Sequence, residues 1–162
     1  MASREHADLY LQSEIGGYGV ISAIEYYKTG TQTARTKPTK VYFRDTQVAT
    51  LTGTDTWDSG TYTGGLTPSF DGTTTQDATA GWKMITLTTG YAYTSGNLLV
   101  MVYDAYSGGG SAQYFTETNV TGTQRQAYKR QDTTDPGTPL QQPLKITFRL
   151  SGLHTAIRFL RH

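Results

Sequence analysis

The 162-residue chain contains no cysteine. That excludes a disulfide framework, a Cys-ligated metal and a thiol nucleophile. It fixes no compartment, because cysteine-free chains occur both inside cells and on bacterial surfaces. Charge is also scarce, with 17% Asp, Glu, Lys and Arg and a net charge of +1. A duplex-binding protein carries a basic stripe, and none is visible, so no nucleic-acid partner is expected. No run approaches 18 consecutive apolar residues, so no membrane span is expected. No stretch of ten residues or more keeps a helical period. The opening Met1-Ala-Ser-Arg-Glu-His-Ala-Asp8 has no apolar core, so no signal peptide is read there. The histidines are few, His6, His154 and His162, and all lie near the termini, where solvent exposure is expected. No His-Glu-x-x-His, Gly-x-Ser-x-Gly or Walker-type loop occurs. Gly108-Gly-Gly110 has no helix after it and so cannot cradle phosphate at a helix N-terminus.

What is present belongs to strands and turns. The chain holds 18 Gly, 12 Tyr and many Thr residues. Strands are expected at 9–12, 19–27, 39–44, 47–51, 82–88, 98–104, 112–117, 126–130 and 144–150. Their spacers are rich in Gly, Thr, Asp and Pro. This rhythm predicts an all-β fold, an antiparallel two-sheet β-sandwich of the jelly-roll-like kind. One module is expected over 1–150, followed by a tail, or an extra edge strand, over 151–162. In 83–88 and 145–150 apolar and polar residues alternate, which marks strands wet on one face. Asn97-Leu-Leu-Val-Met-Val-Tyr-Asp104 is apolar on both faces and reads as a central strand covered on both sides. The expected core holds Ile24, Tyr26, Val41, Phe43, Trp82, Ile85, Leu87, Val100, Val102 and Phe148. The long stretch 52–80 is expected to be loop, and 132–139 a Pro- and Asp-rich connector.

Three groups of residues are candidates for chemistry. Loop aromatics can stack on sugar C–H faces or anchor a protein, and Trp57, Tyr62 and Tyr106 are the candidate ligand-binding residues. Carboxylates near turns could gather around a hard cation, and Asp55, Asp58, Asp71 and Asp77 are the candidate Ca2+ ligands. No Asp-x-Asp-x-Asp-Gly loop is present, and most of these carboxylates sit where they cap their own turns. No cofactor is required and no enzymatic activity is expected, a glycoside-acting carboxylate pair being the weakest alternative. The tail Leu153-His-Thr-Ala-Ile-Arg-Phe-Leu-Arg-His162 alternates apolar residues without an acid. A strand so composed is expected to pair with a sheet edge, its own or a second copy's, with self-association as a consequence to test.

The opening block Leu9-Tyr-Leu-Gln-Ser-Glu-Ile15-Gly-Gly-Tyr-Gly19-Val-Ile-Ser-Ala-Ile24-Glu-Tyr-Tyr27 is the most specific stretch. With Lys40-Val-Tyr-Phe43, Trp57, Asp71-Gly-Thr73, Gly81-Trp-Lys-Met-Ile-Thr-Leu87, the segment from Tyr93 through Asn97 to Asp104, Ala112-Gln-Tyr-Phe115 and Pro143-Leu-Lys-Ile-Thr-Phe148, it resembles a jelly-roll-like β-sandwich module that recurs in secreted and surface proteins of Bacteroidetes-type bacteria. The likeness covers roughly residues 4 to 150 and is a pattern of apolar and aromatic positions. Such modules accompany hydrolases, adhesins and sorting domains. The resemblance implies a non-catalytic extracellular or cell-surface interaction module, binding glycan or a surface protein through its end loops. The alternative is a virion surface protein, such as a capsid decoration, spike or fibre, of a phage infecting such bacteria. The missing leader fits either an excised module or a virion protein.

Overall fold

In the computed structural model, residues 2–28, 34–51, 55–106, 125–131, 146–151 and 156–157 are described. Nine strands and one helical turn follow one another: β1 (Ala2–Tyr10), α1 (Gln12–Ile15), β2 (Gly19–Lys28), β3 (Arg35–Thr46), β4 (Phe70–Gln76), β5 (Gly81–Tyr93), β6 (Asn97–Tyr106), β7 (Gln126–Gln131), β8 (Ile146–Ser151) and β9 (Ala156–Ile157). They form a five-stranded sheet, β4-β3-β6-β1-β7, and a four-stranded sheet, β5-β2-β8-β9. Every pairing is antiparallel. The expected all-β, two-sheet architecture is what the chain adopts. The short strand β9 pairs with β8, matching Phe148 to Ile157 and Arg149 to Ala156.

The main core lies between the sheets. Tyr10, Val41, Phe43, Leu98, Val100 and Val102 from the five-stranded sheet meet Ile21, Ile24, Tyr26, Ile85, Leu87 and Tyr93 from the other. The period of two along each strand makes this possible, since successive side chains take opposite faces. The sheets are also tied by backbone at one flank: Ser69 N donates to Val41 O at 2.8 Å and Thr89 N to Ser69 O at 3.0 Å.

A second apolar cluster lies on the outer face of the five-stranded sheet. Ala7, Leu9, Leu99 and Met101 are roofed there by Leu51 and Tyr62, with Tyr42, Trp57, Leu66 and Ala127 packed alongside. Arg44 fastens this roof: its Nε donates to Tyr62 O at 2.9 Å and its Nη2 to Gly64 O at 2.7 Å. β6 is thus central in its sheet and buried on both faces, as its doubly apolar sequence predicts.

Several local expectations are corrected. Residues 39–44 and 47–51 were expected as two strands, but β3 runs from Arg35 to Thr46 and 47–51 forms a bend. Residues 70–76, expected as loop, are the edge strand β4, so Asp71-Gly-Thr73 is no turn. Gly72 sits under its own strand's Phe70, whose ring carbon would lie 3.1 Å from an added Cβ. That ring covers the backbone a glycine leaves bare within a strand. Trp82, expected in the core, is 40% exposed on the outer face of the four-stranded sheet, because Ile85 and Leu87 take the inner face of β5. His6 is half-buried within β1 instead of solvent-exposed, on the inner-facing parity of Asp8 and Tyr10. The expected strand 112–117, His154, His162 and the side chain of Phe148 lie outside the described residues.

Candidate functional site

One end of the sandwich gathers the turn α1, residues 16–19, the bend 47–50 and the β5–β6 turn, since β1, β3 and β5 end there while β2 and β6 begin. Leu11 N donates to Glu14 Oε2 at 2.9 Å, closing α1 on itself. Arg125 Nη1 reaches Glu14 Oε1 at 2.6 Å and secures that turn to the start of β7. Asp45, at the end of β3, organises the neighbouring turn. Its Oδ2 accepts from Thr94 N and Oγ1, both at 2.9 Å, and from Ser95 N at 3.1 Å, while Oδ1 accepts from the Tyr91 hydroxyl at 2.8 Å. Asn97 bridges two loops, accepting from Gln12 N and donating to Val48 O, each at 2.9 Å. Gly96 takes a left-handed φ of 69°, and an added Cβ would meet Thr46 O at 2.7 Å. The turn therefore requires glycine.

Tyr18 stands on this scaffold. It is 46% exposed, yet its ring lies 5.1 Å from that of fully buried Tyr93, and its hydroxyl accepts from Gln12 Nε2. Burial, Tyr18 and Asp45 push the Tyr93 hydroxyl up to about 12. Burial and the hydrogen bond to Asp45 push Tyr91 up to about 12 as well. Both phenols are therefore neutral donors at physiological pH. The exposed side chains of these turns carry no charge: Gln12, Ser13, Gln47, Thr94 and Ser95 are polar, and Val20 and Val48 are apolar. The arrangement offers a half-exposed ring in a fixed pose among amide and hydroxyl groups.

The opposite end is ionic. Lys37 Nζ pairs with Asp104 Oδ2 at 2.5 Å, and Thr39 Oγ1 donates to Asp104 Oδ1 at 2.9 Å. Buried Lys28 donates to Asp77 O at 2.6 Å. Burial, and then the Asp104 charge, raise the Tyr26 phenol well above its usual range.

The predicted site residues fall in different places. Tyr62 is only 3% exposed, so its ring is part of the roof and offers no stacking face, a correction caused by the apolar patch of β1 and β6 beneath it. Trp57 is half-buried, stacked on Tyr62 with ring centroids 6.1 Å apart. Tyr106 ends β6 at the far end, and its side chain lies outside the described residues. The four aspartates do not share a location. Asp55 and Asp58 are exposed in the roof loop, and Asp71 on β4 pairs with Lys40 at 3.1 Å. Asp77 takes hydrogen bonds from Lys83 and Thr79, which hold its carboxyl well below the usual carboxylate range. Among the described residues no group of three His, Asp or Glu side chains could hold a metal ion. Sequence reasoning passed over Tyr18. Its signal was an aromatic residue within Gly16-Gly-Tyr-Gly19, where a tight inter-strand turn leaves a large ring little interior to enter.

Comparison with protein-family models, with curated proteins and with solved structures finds no match to this chain. No helix among the described residues is long and apolar enough to cross a membrane.

Proposed function

We propose that the chain is a non-catalytic interaction module of an extracellular or cell surface, which engages a glycan or a surface protein through the loops at its Tyr18 end. The observation that carries this reading is the Tyr18 ring, 46% exposed and braced by Tyr93 and Gln12. A large side chain held in one pose before binding loses little entropy on binding, which favours recognition. The uncharged amides and hydroxyls around it suit a neutral hydroxyl-rich or peptide surface better than an ionic one. The resemblance of the opening block to modules of surface proteins supports the same reading. The test is a glycan array together with a cell-surface binding assay, comparing wild type with Tyr18→Ala. Loss of about tenfold in affinity, or about 1.4 kcal/mol, is expected for the variant. Wild-type affinity in Tyr18→Ala, or no binding by wild type in either assay, overturns the proposal.

A further inference from the structure

Three lysine–aspartate pairs occur among the described residues, and one differs from the others in its surroundings. Asp71, paired with Lys40, and Asp77, paired with Lys83, have side chains 56% and 59% exposed. In the third pair Lys37 Nζ lies 2.5 Å from Asp104 Oδ2, and the two side chains are only 15% and 11% exposed. Adjacent strands bring this pair together. Register matches Thr39 of β3 to Asp104 of β6, and Lys37 lies two residues before Thr39 on the same face. Such diagonal neighbours are within reach of a long side chain. Asp104 faces the other sheet, where its charge is felt at the buried Tyr26 phenol. Thr39 is buried and has one hydroxyl proton to give. That proton goes to Asp104 Oδ1 at 2.9 Å, a stronger acceptor than the Lys37 carbonyl at 3.3 Å. Thr74 Oγ1, 2.7 Å from Thr39 Oγ1, then donates to Thr39 in turn.

An ammonium held against a carboxylate in a protein interior is one dehydration away from an amide. A contact of 2.5 Å to Oδ2 sets Nζ roughly 3–3.5 Å from Cγ, the separation of a near-attack geometry. Burying two charges is costly, and passing one proton from Nζ to Oδ2 removes both. The amine lone pair then forms the Nζ–Cγ bond, and the carbonyl pair moves onto Oδ1, where the Thr39 hydroxyl meets it. A second proton passes from Nζ to Oδ2. The Cγ–Oδ2 bond breaks, water leaves, and the pair on Oδ1 restores the carbonyl. The amide keeps one proton on Nζ, and no co-reactant is consumed. Arg4 of β1 is the other register partner of Asp104, but a guanidinium keeps its proton and is no nucleophile, so Lys37 is the reacting residue. At the two exposed pairs water solvates both charges, and nothing drives the proton across. We infer that Lys37 and Asp104 condense to an isopeptide bond, with Thr39 as the donor to the developing oxyanion, and that this bond ties β3 covalently to the central strand β6. It lies at the end of the sandwich opposite Tyr18 and shares no residue with that site, so either can fail without the other.

Mass spectrometry of the purified full chain tests this. The intact wild-type chain should be lighter than its sequence by one water. A tryptic digest should contain a branched peptide joining 36–40 to 84–125, Lys37 being followed by Pro38 and so left uncut. That peptide separates an isopeptide bond from a succinimide at Asp71-Gly72, which would also cost one water. These two readings need no variant to fold. Lys37→Arg and Asp104→Ala chains should keep their full sequence mass. In a time course after cell-free synthesis, Thr39→Val should lose water about tenfold more slowly than wild type or slower still, as expected for removal of an oxyanion donor. Thr39→Ser, which keeps the hydroxyl, should match wild type. A wild-type mass equal to its sequence, water loss without the branched peptide, water loss in Lys37→Arg, or a Thr39→Val chain that condenses at the wild-type rate each overturns the inference.

Discussion

The two outer faces of the sandwich receive opposite treatment. On the five-stranded sheet, Leu9, Leu99 and Met101 are sealed beneath Leu51, Trp57, Tyr62 and Leu66. On the four-stranded sheet, Trp82 at 40% and Met84 at 54% stand exposed with Thr86 and Thr88. The difference is written in the strands. β6 is apolar at consecutive positions from Leu98 to Val102, whereas β5 alternates through Met84, Ile85, Thr86 and Leu87. A strand with two covered faces cannot alternate, because either parity would then place polar groups in an apolar interior. Among the described residues the roof is thus a third layer, added over one sheet only.

The largest expected effect breaks the shared element itself. Val100 is fully buried between the sheets at the centre of β6. Val100→Asp would place a carboxylate there with no partner, at a cost of several kcal/mol or loss of folding. An unchanged melting temperature would remove β6 from the core.

The roof itself comes next. Met101→Ala empties space under it and should cost about 2–5 kcal/mol, as for other buried large-to-small changes. Equilibrium denaturation in urea measures it. A loss below about 0.5 kcal/mol would mean that the roof is not closed over Met101.

Much of this layering was legible before the structure. The doubly apolar run 97–104 carried the central strand and its two covers, and the alternation of 83–88 carried the wet face of β5. The same alternation held the answer for Trp82: it lies three residues before Ile85, on the opposite parity, and its size alone suggested the core. What sequence could not show is long-range. β4 is Thr-rich with Asp71-Gly72 inside it, locally a turn, and becomes a strand only because β3 offers it an edge from Arg35 to Val41. Tyr62 looked like a loop aromatic because the apolar face it covers is contributed by β1 and β6, distant in sequence. Lys37 and Asp104 are strand residues with no local mark, and only the register of β3 on β6 brings them together.

Arg44 sharpens the comparison further, because it is the fastening of the roof and has no counterpart needed on the bare face. Arg44→Met keeps most of the apolar stem and removes the donors to Tyr62 O and Gly64 O. Two hydrogen bonds from a charged group are lost, so a destabilisation of about 1–3 kcal/mol is expected. Limited proteolysis should then cut within 55–66 before any other described segment. A cleavage pattern identical to wild type would show that the roof stays down without its pin.

Alkali should loosen the same region by a smaller amount. Burial, and then the nearby Asp55 charge, raise the Tyr62 phenol above its ordinary value. A group whose pKa is higher in the folded than in the unfolded chain stabilises the fold below its unfolded value, near 10 for tyrosine, and that contribution fades as pH rises through its folded value. Cleavage within 55–66 should therefore accelerate above about pH 10. In Tyr62→Phe, which has no phenol to ionise, the acceleration should diminish. An equal acceleration in both proteins would assign the alkaline response to another group.

The smallest effect is expected on the bare face, and it decides whether that face is bare in solution. Met84 points away from the core, since its neighbours Ile85 and Leu87 take the inner side of β5. Met84→Thr continues the threonine series of Thr86 and Thr88, and threonine suits a strand at least as well as methionine. The change removes little buried surface, so stability should shift by no more than about 0.5 kcal/mol. Against a loss of about 2–5 kcal/mol at Met101, this gives one methionine that matters and one that does not, on two outer faces of the same sandwich. A loss at Met84 as large as that at Met101 would mean the four-stranded sheet is covered too, and the asymmetry between the two faces would fall.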